Sequence, residues 1–263
     1  MTGLAPRHAA IVTRSLQVVT YNIHKGLSLF NRRLVIHELR ERLRTLGSDI
    51  VFLQEVQGNC DRKAARHGDW PVEPQYEFLA DTVWGDFAYG RNAVYDHGHH
   101  GNAILSRFPI QHWDNQDVSA HRFEKRGLLH CEVAIPGWDV PLHCVCVHLA
   151  LTARGRSRQL ERLRQRIERL VPLDAPLIVA GDFNDWHWRH RATHELAHPL
   201  NMQEVFELIR GLPARSFPAM LPVFRLDRIY VRGFRVNRAH VHHGPVWGRI
   251  SDHAALTTTL ERI

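Results

Sequence analysis

At 263 residues with 44% hydrophobic content, the chain is long enough for one large core and needs no second domain. Its 34 Lys and Arg against 27 Asp and Glu leave a formal charge of +7, a bias toward anionic partners such as nucleic acid, phosphorylated metabolites or lipid head groups that does not choose among them. No apolar run reaches the roughly 18 residues of a membrane span, and "MTGLAPRHAAIVTRSLQVV" lacks a signal-peptide pattern. The chain therefore reads as cytoplasmic, with residues 1–15 a flexible extension and 16–263 a single domain; association with a membrane surface stays open.

In chain order, the first β-type run is "LQVVTYNI". Val35, Leu39, Leu43 and Leu46 then recur at helical spacing. The runs "DIVFLQEV", "YEFLA", "GNAILS", "LLHCEVAI" and "PLHCVCVHL" follow as strands, rich in Val, Ile, Leu and aromatics. A second helical pattern, Leu160, Leu163, Ile167 and Leu170, carries an arginine-rich opposite face that reads as a solvated surface with pairs to Glu161 and Glu168. "APLIVAGDF", "LDRIYV" and "HAALTTTL" complete the strands. Residues 58–74 and 185–222, rich in Gly, Pro, His and charge, read as long loops. Cys60, Cys131, Cys144 and Cys146 show no CxxC spacing and read as reduced thiols. Many strands and few helices imply packed sheets with helices outside.

Polar groups crowd the ends of these runs. Asn22 follows "LQVVTY", Glu55 follows "DIVFLQ" and His148 ends "PLHCVCV". Asp182 and Asn184 follow "LIVAG", Asp227 opens "LDRIYV", and Asp252 with His253 precedes "AALTTTL". A single Asp or Asn at a strand end usually closes a turn. So many together, all of metal-ligand, acid–base or amide type, argue for a shared site, because clustered carboxylates need a compensating cation or proton. The oxygen-rich set suits Mg²⁺ or Mn²⁺. The loop "DHGHHGN" offers His97, His99 and His100 to a transition metal, although Gly98 and Gly101 favour a solvated turn.

Together, "TYNIHKG", "DIVFLQEV", "GNAILSRFPI", "VCVHL", "VAGDFNDW", "RLDRIYV" and "SDHAAL" resemble, in order and spacing, the motif series of the endonuclease/exonuclease/phosphatase superfamily, the deoxyribonuclease I-like fold. "YNIHKG" with "GHHGNAILSR" looks most like a group of small bacterial members. The resemblance covers residues 18 to 260. It implies a four-layer α/β/β/α sandwich of two mixed sheets flanked by helices, and metal-dependent hydrolysis of a phosphoester, usually with Mg²⁺ or alternatively Mn²⁺. Carried over, Glu55 is the principal metal ligand, and Asn22 and Asp252 complete or neighbour that site. Asp182 and Asn184 align the attacking water and hold the scissile phosphate. His253 is the essential histidine, Asp227 is its carboxylate partner, and His148 falls where some members have a second catalytic His and others Tyr. Tyr21 stands where some abasic-site nucleases have Trp, which weakens a DNA-repair assignment.

These roles also make chemical sense. In-line attack needs an oriented water, neutralisation of the non-bridging oxygens and stabilisation of the leaving oxygen. Asp182 would polarise the water, Asp227 would keep His253 cationic, and His148 could protonate the leaving group. Arg126 either contacts substrate or pairs with Glu124. Asn102 either bonds phosphate or ties its own turn. Trp186 and Trp188 form an aromatic rim or anchor their loop, and Asp185 reads as a turn or cap residue. The expected activity is that of an endonuclease-like phosphodiesterase. The alternative is a phospholipid or inositol head-group phosphoesterase. A silent binding module is disfavoured because Glu55, Asp182, Asp227 and His253 are all present.

Overall fold

Two parallel strand pairs organise the computed structural model, which describes residues 13–28, 33–120, 124–186 and 196–263. In the first, β1 (Ser15–Asn22) lies beside β2 (Ile50–Cys60), with Val18 opposite Ile50 and Asn22 opposite Gln54. Parallel neighbours need a crossover, and α1 (Ile36–Thr45) supplies it. The helix buries Ile36, Leu39 and Leu43 in one cluster with Val19, Tyr21, Val51 and Leu53, the face its periodicity predicts. The chain continues through α2 (Asp61–Ala64), α3 (Gln75–Ala80), β3 (Asp86–Tyr95), β4 (Gly98–Ser106), β5 (Ile110–Asp117) and β6 (Gly127–Val133).

The second parallel unit is β7 (Leu142–His148), α4 (Ala153–Leu170) and β8 (Leu177–Asp182), with His148 opposite Asp182. Thr152 caps α4 by accepting from the Gly155 amide at 3.2 Å. Its Leu163 and Ile167 pack in one cluster with Val145, Val147, Leu177 and Val179. On its solvent face Arg164 pairs with Glu161 and Glu168 at 2.8 and 2.6 Å, as expected for an exposed face. The chain ends with β9 (Gln203–Glu204), α5 (Val205–Arg210), β10 (Asp227–Arg232), β11 (Phe234–His242) and β12 (Ala255–Arg262).

Among the described residues the strands form two mixed six-stranded sheets, ordered β11-β12-β1-β2-β4-β3 and β5-β6-β7-β8-β10-β9. Leu16, Val18, Ile50 and Phe52 from one meet Leu129, Cys144, Cys146 and Ile178 from the other in the central core. Helices α1 and α3 cover the first sheet and α4 the second, giving the four-layer sandwich. No cysteine is paired; Cys131, Cys144 and Cys146 are buried and serve as core. No helix among the described residues is long and apolar enough to cross a membrane.

Three expectations change. "YEFLA", expected as a strand, lies in α3, where Gln75 and Leu79 fall on one buried face four residues apart behind Pro74. The stretch 58–74 is shortened by the end of β2 and by α2, and 185–222 contains β9 and α5. The expected flexible extension reaches residue 15, yet the Thr13 amide donates to Pro136 and the Trp138 indole to the Thr13 carbonyl, at 3.2 and 2.7 Å.

Beneath α4, His130 on β6 and His143 on β7 are buried with Nε2 and Nδ1 3.0 Å apart. Burial, then His143 and Arg166, press His130 down to about 3 against an opposing pull from Asp114; burial also lowers His143, with Glu132 raising it and Arg232 lowering it. A base depressed in the folded state binds its proton more readily when unfolded, so its stability is full above the ordinary histidine range and is lost as pH falls toward about 3. Urea unfolding at a series of pH values should therefore lose stability below pH about 6.5, and His130→Leu should flatten that decline by about 1.4 kcal/mol per pH unit. Identical slopes for both proteins would refute the account.

Candidate active site

Strand direction brings the predicted residues to one edge of the sandwich. Asn22 closes β1 and Glu55 follows Gln54, the last β2 residue that pairs with β1, while the C-terminal ends of β7 and β8 carry His148 and Asp182. Their antiparallel neighbours start at that edge: β10 opens on Asp227, opposite Asp182, and His253 leads into β12. Gly181 lets β7 and β8 come this close, since a Cβ there would lie 1.9 Å from the Val147 carbonyl oxygen at φ +149°.

Asp182 is the hub. Its Oδ2 accepts from Asn22 Nδ2 at 3.1 Å, a bond that crosses between the sheets, and lies 3.5 Å from His148 Nε2 and 3.7 Å from His253 Nε2. Its Oδ1 accepts from the Asn184 amide at 2.9 Å. His253 Nδ1 donates to Asp227 Oδ2 at 2.8 Å, which turns Nε2 toward Asp182. Ser251 accepts from the His253 amide and donates to the Asn22 carbonyl, while Ser216 accepts from the Asp227 amide.

Burial would favour neutral His253, but Asp227 and then Asp182 overcome it and raise the imidazole to about 10. Burial raises Asp182, Asp227 adds to it, and His253 opposes. His148 is pushed well below the ordinary histidine range by burial and then by Arg126. It is therefore neutral at pH 7, better suited to holding Asp182 and substrate by hydrogen bonds than to acting as a strong acid.

Glu55 sits at a bulge in β2 with φ +56°, which re-aims its carboxylate out of the strand pleat. Burial opposes its charge, yet its basic neighbours, Lys25 foremost, lower its pKa to about 2. Lys25 Nζ lies 3.3 Å from Oε2. Asp252 is treated likewise: burial works against ionisation, and His24, with Nδ1 3.3 Å from Oδ1, and His253 lower its pKa. His24 and Lys25 are thus site residues that sequence reasoning missed. They lie within "YNIHKG", but their consecutive left-handed conformations, φ +44° and +60°, left no sequence signal.

A divalent cation fits this half of the site. Glu55 Oε2 is buried without a hydrogen-bond partner and has the Lys25 ammonium 3.3 Å away. Asn22 and Asp252 add oxygen donors of the hard type that Mg²⁺ prefers. Asp182, Asp227 and His253 also bring ligand atoms within 4.8 Å of one another. There the protonated His253 already supplies the positive charge, so that trio reads as an acid–base unit rather than a metal cage.

Other predicted residues sit farther from the hub. Asn184 Nδ2 donates to the Leu149 carbonyl at 2.9 Å, with its backbone at φ +50°. Arg126 Nε donates to the same carbonyl at 3.2 Å while its Nη2 pairs with Glu124 at 3.1 Å, so the ion pair coexists with a position beside Asn184. Asn102 directs its Nδ2 at the Gly127 and Cys146 carbonyls, tying β4 to the opposite sheet. Asp185 is buried, 3.9 Å from Arg228, rather than closing an exposed turn. Tyr21 is fully buried, edge-on to Trp247. Trp186 packs edge-on against Phe217 and Phe224, and the Phe217 ring lies 5.1 Å from that of His253; Trp188 falls outside the described residues.

Known proteins share this fold. The crystal structure of an endonuclease/exonuclease/phosphatase from Beutenbergia cavernae aligns with TM-score 0.76 at 19% identity, covering 95% of this chain and 72% of that one. That of humanized D. rerio TDP2 aligns with TM-score 0.70 at 21% identity, covering 94% and 99%. At these identities both show the fold alone. In sequence, the protein of Escherichia coli K12 called Uncharacterized protein YbhP is 47% identical over 246 residues, 94% of this chain and 96% of its own. The model of the Endonuclease/Exonuclease/phosphatase family matches residues 19–253, from β1 to the histidine that pairs with Asp227. The chain therefore belongs to the endonuclease/exonuclease/phosphatase family, whose name describes hydrolysis of phosphoester bonds.

Proposed function

We propose that the protein is a divalent-metal-dependent phosphodiesterase that cleaves a nucleic-acid-like substrate by in-line attack of water. The observation that carries this reading is the line Asp227–His253–Asp182–Asn22, in which a charged imidazole, a buried carboxylate of raised proton affinity and a cross-sheet amide converge on one point. Asp182, with its proton affinity raised by burial, is the group to orient water and take its proton. His253, held cationic by Asp227, faces the place where charge develops on the phosphoryl oxygens. Asn184 and neutral His148 flank Asp182 as hydrogen-bonding groups, and Arg126 sits one carbonyl away. Mg²⁺ or Mn²⁺ bound by Glu55 with Asn22 and Asp252 would neutralise non-bridging oxygens and stabilise the leaving oxygen.

A second reading, a phosphoesterase for lipid or inositol head groups, draws on the apolar rim around His253. Phe217 contacts the His253 ring, and Met220, Leu221, Val223 and Phe224 nearby are exposed. A polyanionic strand would use the charge of +7 more fully than a single head group would, which supports the first reading.

Screening with Mg²⁺ or Mn²⁺ against plasmid DNA, RNA, a bis-aryl phosphodiester, phospholipids and inositol phosphates decides between them. Whatever the substrate, Asp182→Asn and His253→Ala should each lower kcat by roughly 10³-fold. Chelation of metal should abolish turnover, and survival of activity after chelation or in both variants would overturn the mechanism. Glu55→Gln should weaken Mn²⁺ binding in titration calorimetry without lowering Tm; an unchanged metal affinity would move the cation elsewhere.

A further inference from the structure

Beside Glu55 the first sheet carries positive charge that the proposed chemistry does not use. β2 runs on past its bulge to Cys60, where Gln57 pairs with His100 and Cys60 with Gly98 of β4. Lys63, in α2, donates from Nζ to Gln57 Oε1 at 2.7 Å. The Gln57 amide donates to Gln75 Oε1 at 2.9 Å, and Gln75 Nε2 donates to the Lys25 carbonyl at 2.8 Å. Gln57 and Gln75 are both buried, so a pair of interior amides holds the Lys63 ammonium and the Lys25 backbone on one scaffold. Such bracing removes much of the conformational freedom that makes ordinary surface lysines poor anchors.

The charges there do not balance. Lys63 makes no ion pair among the described residues; burial, and then Lys25, press its pKa down to about 8. Lys25 pairs with Glu55, the carboxylate proposed to hold the metal. Once a divalent cation shares that carboxylate, Lys25 and Lys63 lack a counter-ion. His100 lies within electrostatic reach of Lys25, Glu55, Arg126 and Lys63. Its Nδ1 is 3.1 Å from the Tyr95 hydroxyl, and the two rings stack at 5.5 Å and 25°. If Nδ1 accepts that hydroxyl proton, Nε2–H is a donor. Tyr95 itself is 52% exposed at the end of β3.

We propose that Lys25 and Lys63, with the stacked His100–Tyr95 pair as their rim, form a second anion subsite that takes the phosphate next to the scissile one in a nucleic-acid strand. The proposal rests on the phosphodiesterase reading and adds a substrate requirement to it: a phosphate beyond the one that is cut. The Lys63 ammonium held by Gln57 and the Lys25 ammonium beside Glu55 answer the phosphate, and an exposed aromatic ring answers the neighbouring base, because any base can stack on it. A head group with one phosphate would leave both unused.

The test separates binding from turnover. In an Asp182→Asn background with Mg²⁺, binding of a labelled DNA oligonucleotide is followed by fluorescence anisotropy across a salt series. Lys63→Gln should weaken binding about tenfold and reduce the slope of log affinity against log salt by about one, with Lys63→Arg restoring it. Tyr95→Ala should weaken binding without changing the slope. In the otherwise unchanged enzyme, Lys63→Gln should hydrolyse a bis-aryl phosphodiester, which has only one phosphate, as fast as the parent. An unchanged salt slope, or an equal loss on the bis-aryl ester, would overturn the subsite. Displacement of the oligonucleotide by an inositol polyphosphate, with the same Lys63 dependence and no response to Tyr95→Ala, would overturn the nucleic-acid assignment. Failure of the parent enzyme to cleave any phosphodiester would defeat the functional reading, while the salt slope would still report on the subsite.

Discussion

Burying carboxylates is what this structure has to manage. Glu55, Asp182, Asp227 and Asp252 all lie largely out of water at one edge of the sandwich, where each charge costs several kcal/mol if left uncompensated. The chain resolves the problem differently on the two sides of the Asn22–Asp182 bond. Glu55 and Asp252 stay ionised because Lys25 and His24 stand beside them. Asp227 is matched by a protonated His253, and Asp182, left with the weakest compensation, keeps a raised proton affinity. The proposed cation seat and the proposed base thus answer one electrostatic constraint in two ways.

The topology makes that constraint unavoidable. Each sheet contains one parallel pair, and parallel strands present their C-terminal ends on the same side. Stacking the sheets face to face then brings two such ends together, and the strands antiparallel to them begin there. The central apolar core, filled by Phe52, Ile178 and the cysteines of β7, fixes how the sheets meet. The cleft is accordingly set by the core rather than by the loops that surround it.

Much of this was legible in the residues because the site lies where hydrophobic runs stop. That rule picks out Asn22, Glu55, His148, Asp182, Asp227 and His253, which the fold brings to one edge, and periodicity picks out α1 and α4. The pattern was silent where burial was. β5, with "IQHWDNQD" mostly exposed, and β11, with "FRVNRAHVH", are edge strands lacking the apolar alternation that would announce them. "YEFLA" has strand-like composition, but its position behind Pro74 and its packing beneath the first sheet made it helical. His24 and Lys25 depend on backbone angles that no side-chain pattern encodes. Arg126 and Asn102 kept two readings each, because the local sequence could not say which carbonyls of the opposite sheet would be within reach.

Four non-glycine residues at this edge, His24, Lys25, Glu55 and Asn184, adopt left-handed backbone conformations. Each holds conformational energy, of order 1 kcal/mol or more, that the surrounding fold must offset. Glycine would relax that strain at any of them, and at each it would delete the side chain for which the strain is maintained. Under the proposed function, selection for heat tolerance and selection for turnover therefore pull in opposite directions at these four positions. A lineage freed from the need to catalyse should drift toward glycine here first, leaving a sturdier protein with an intact sandwich and an empty cleft.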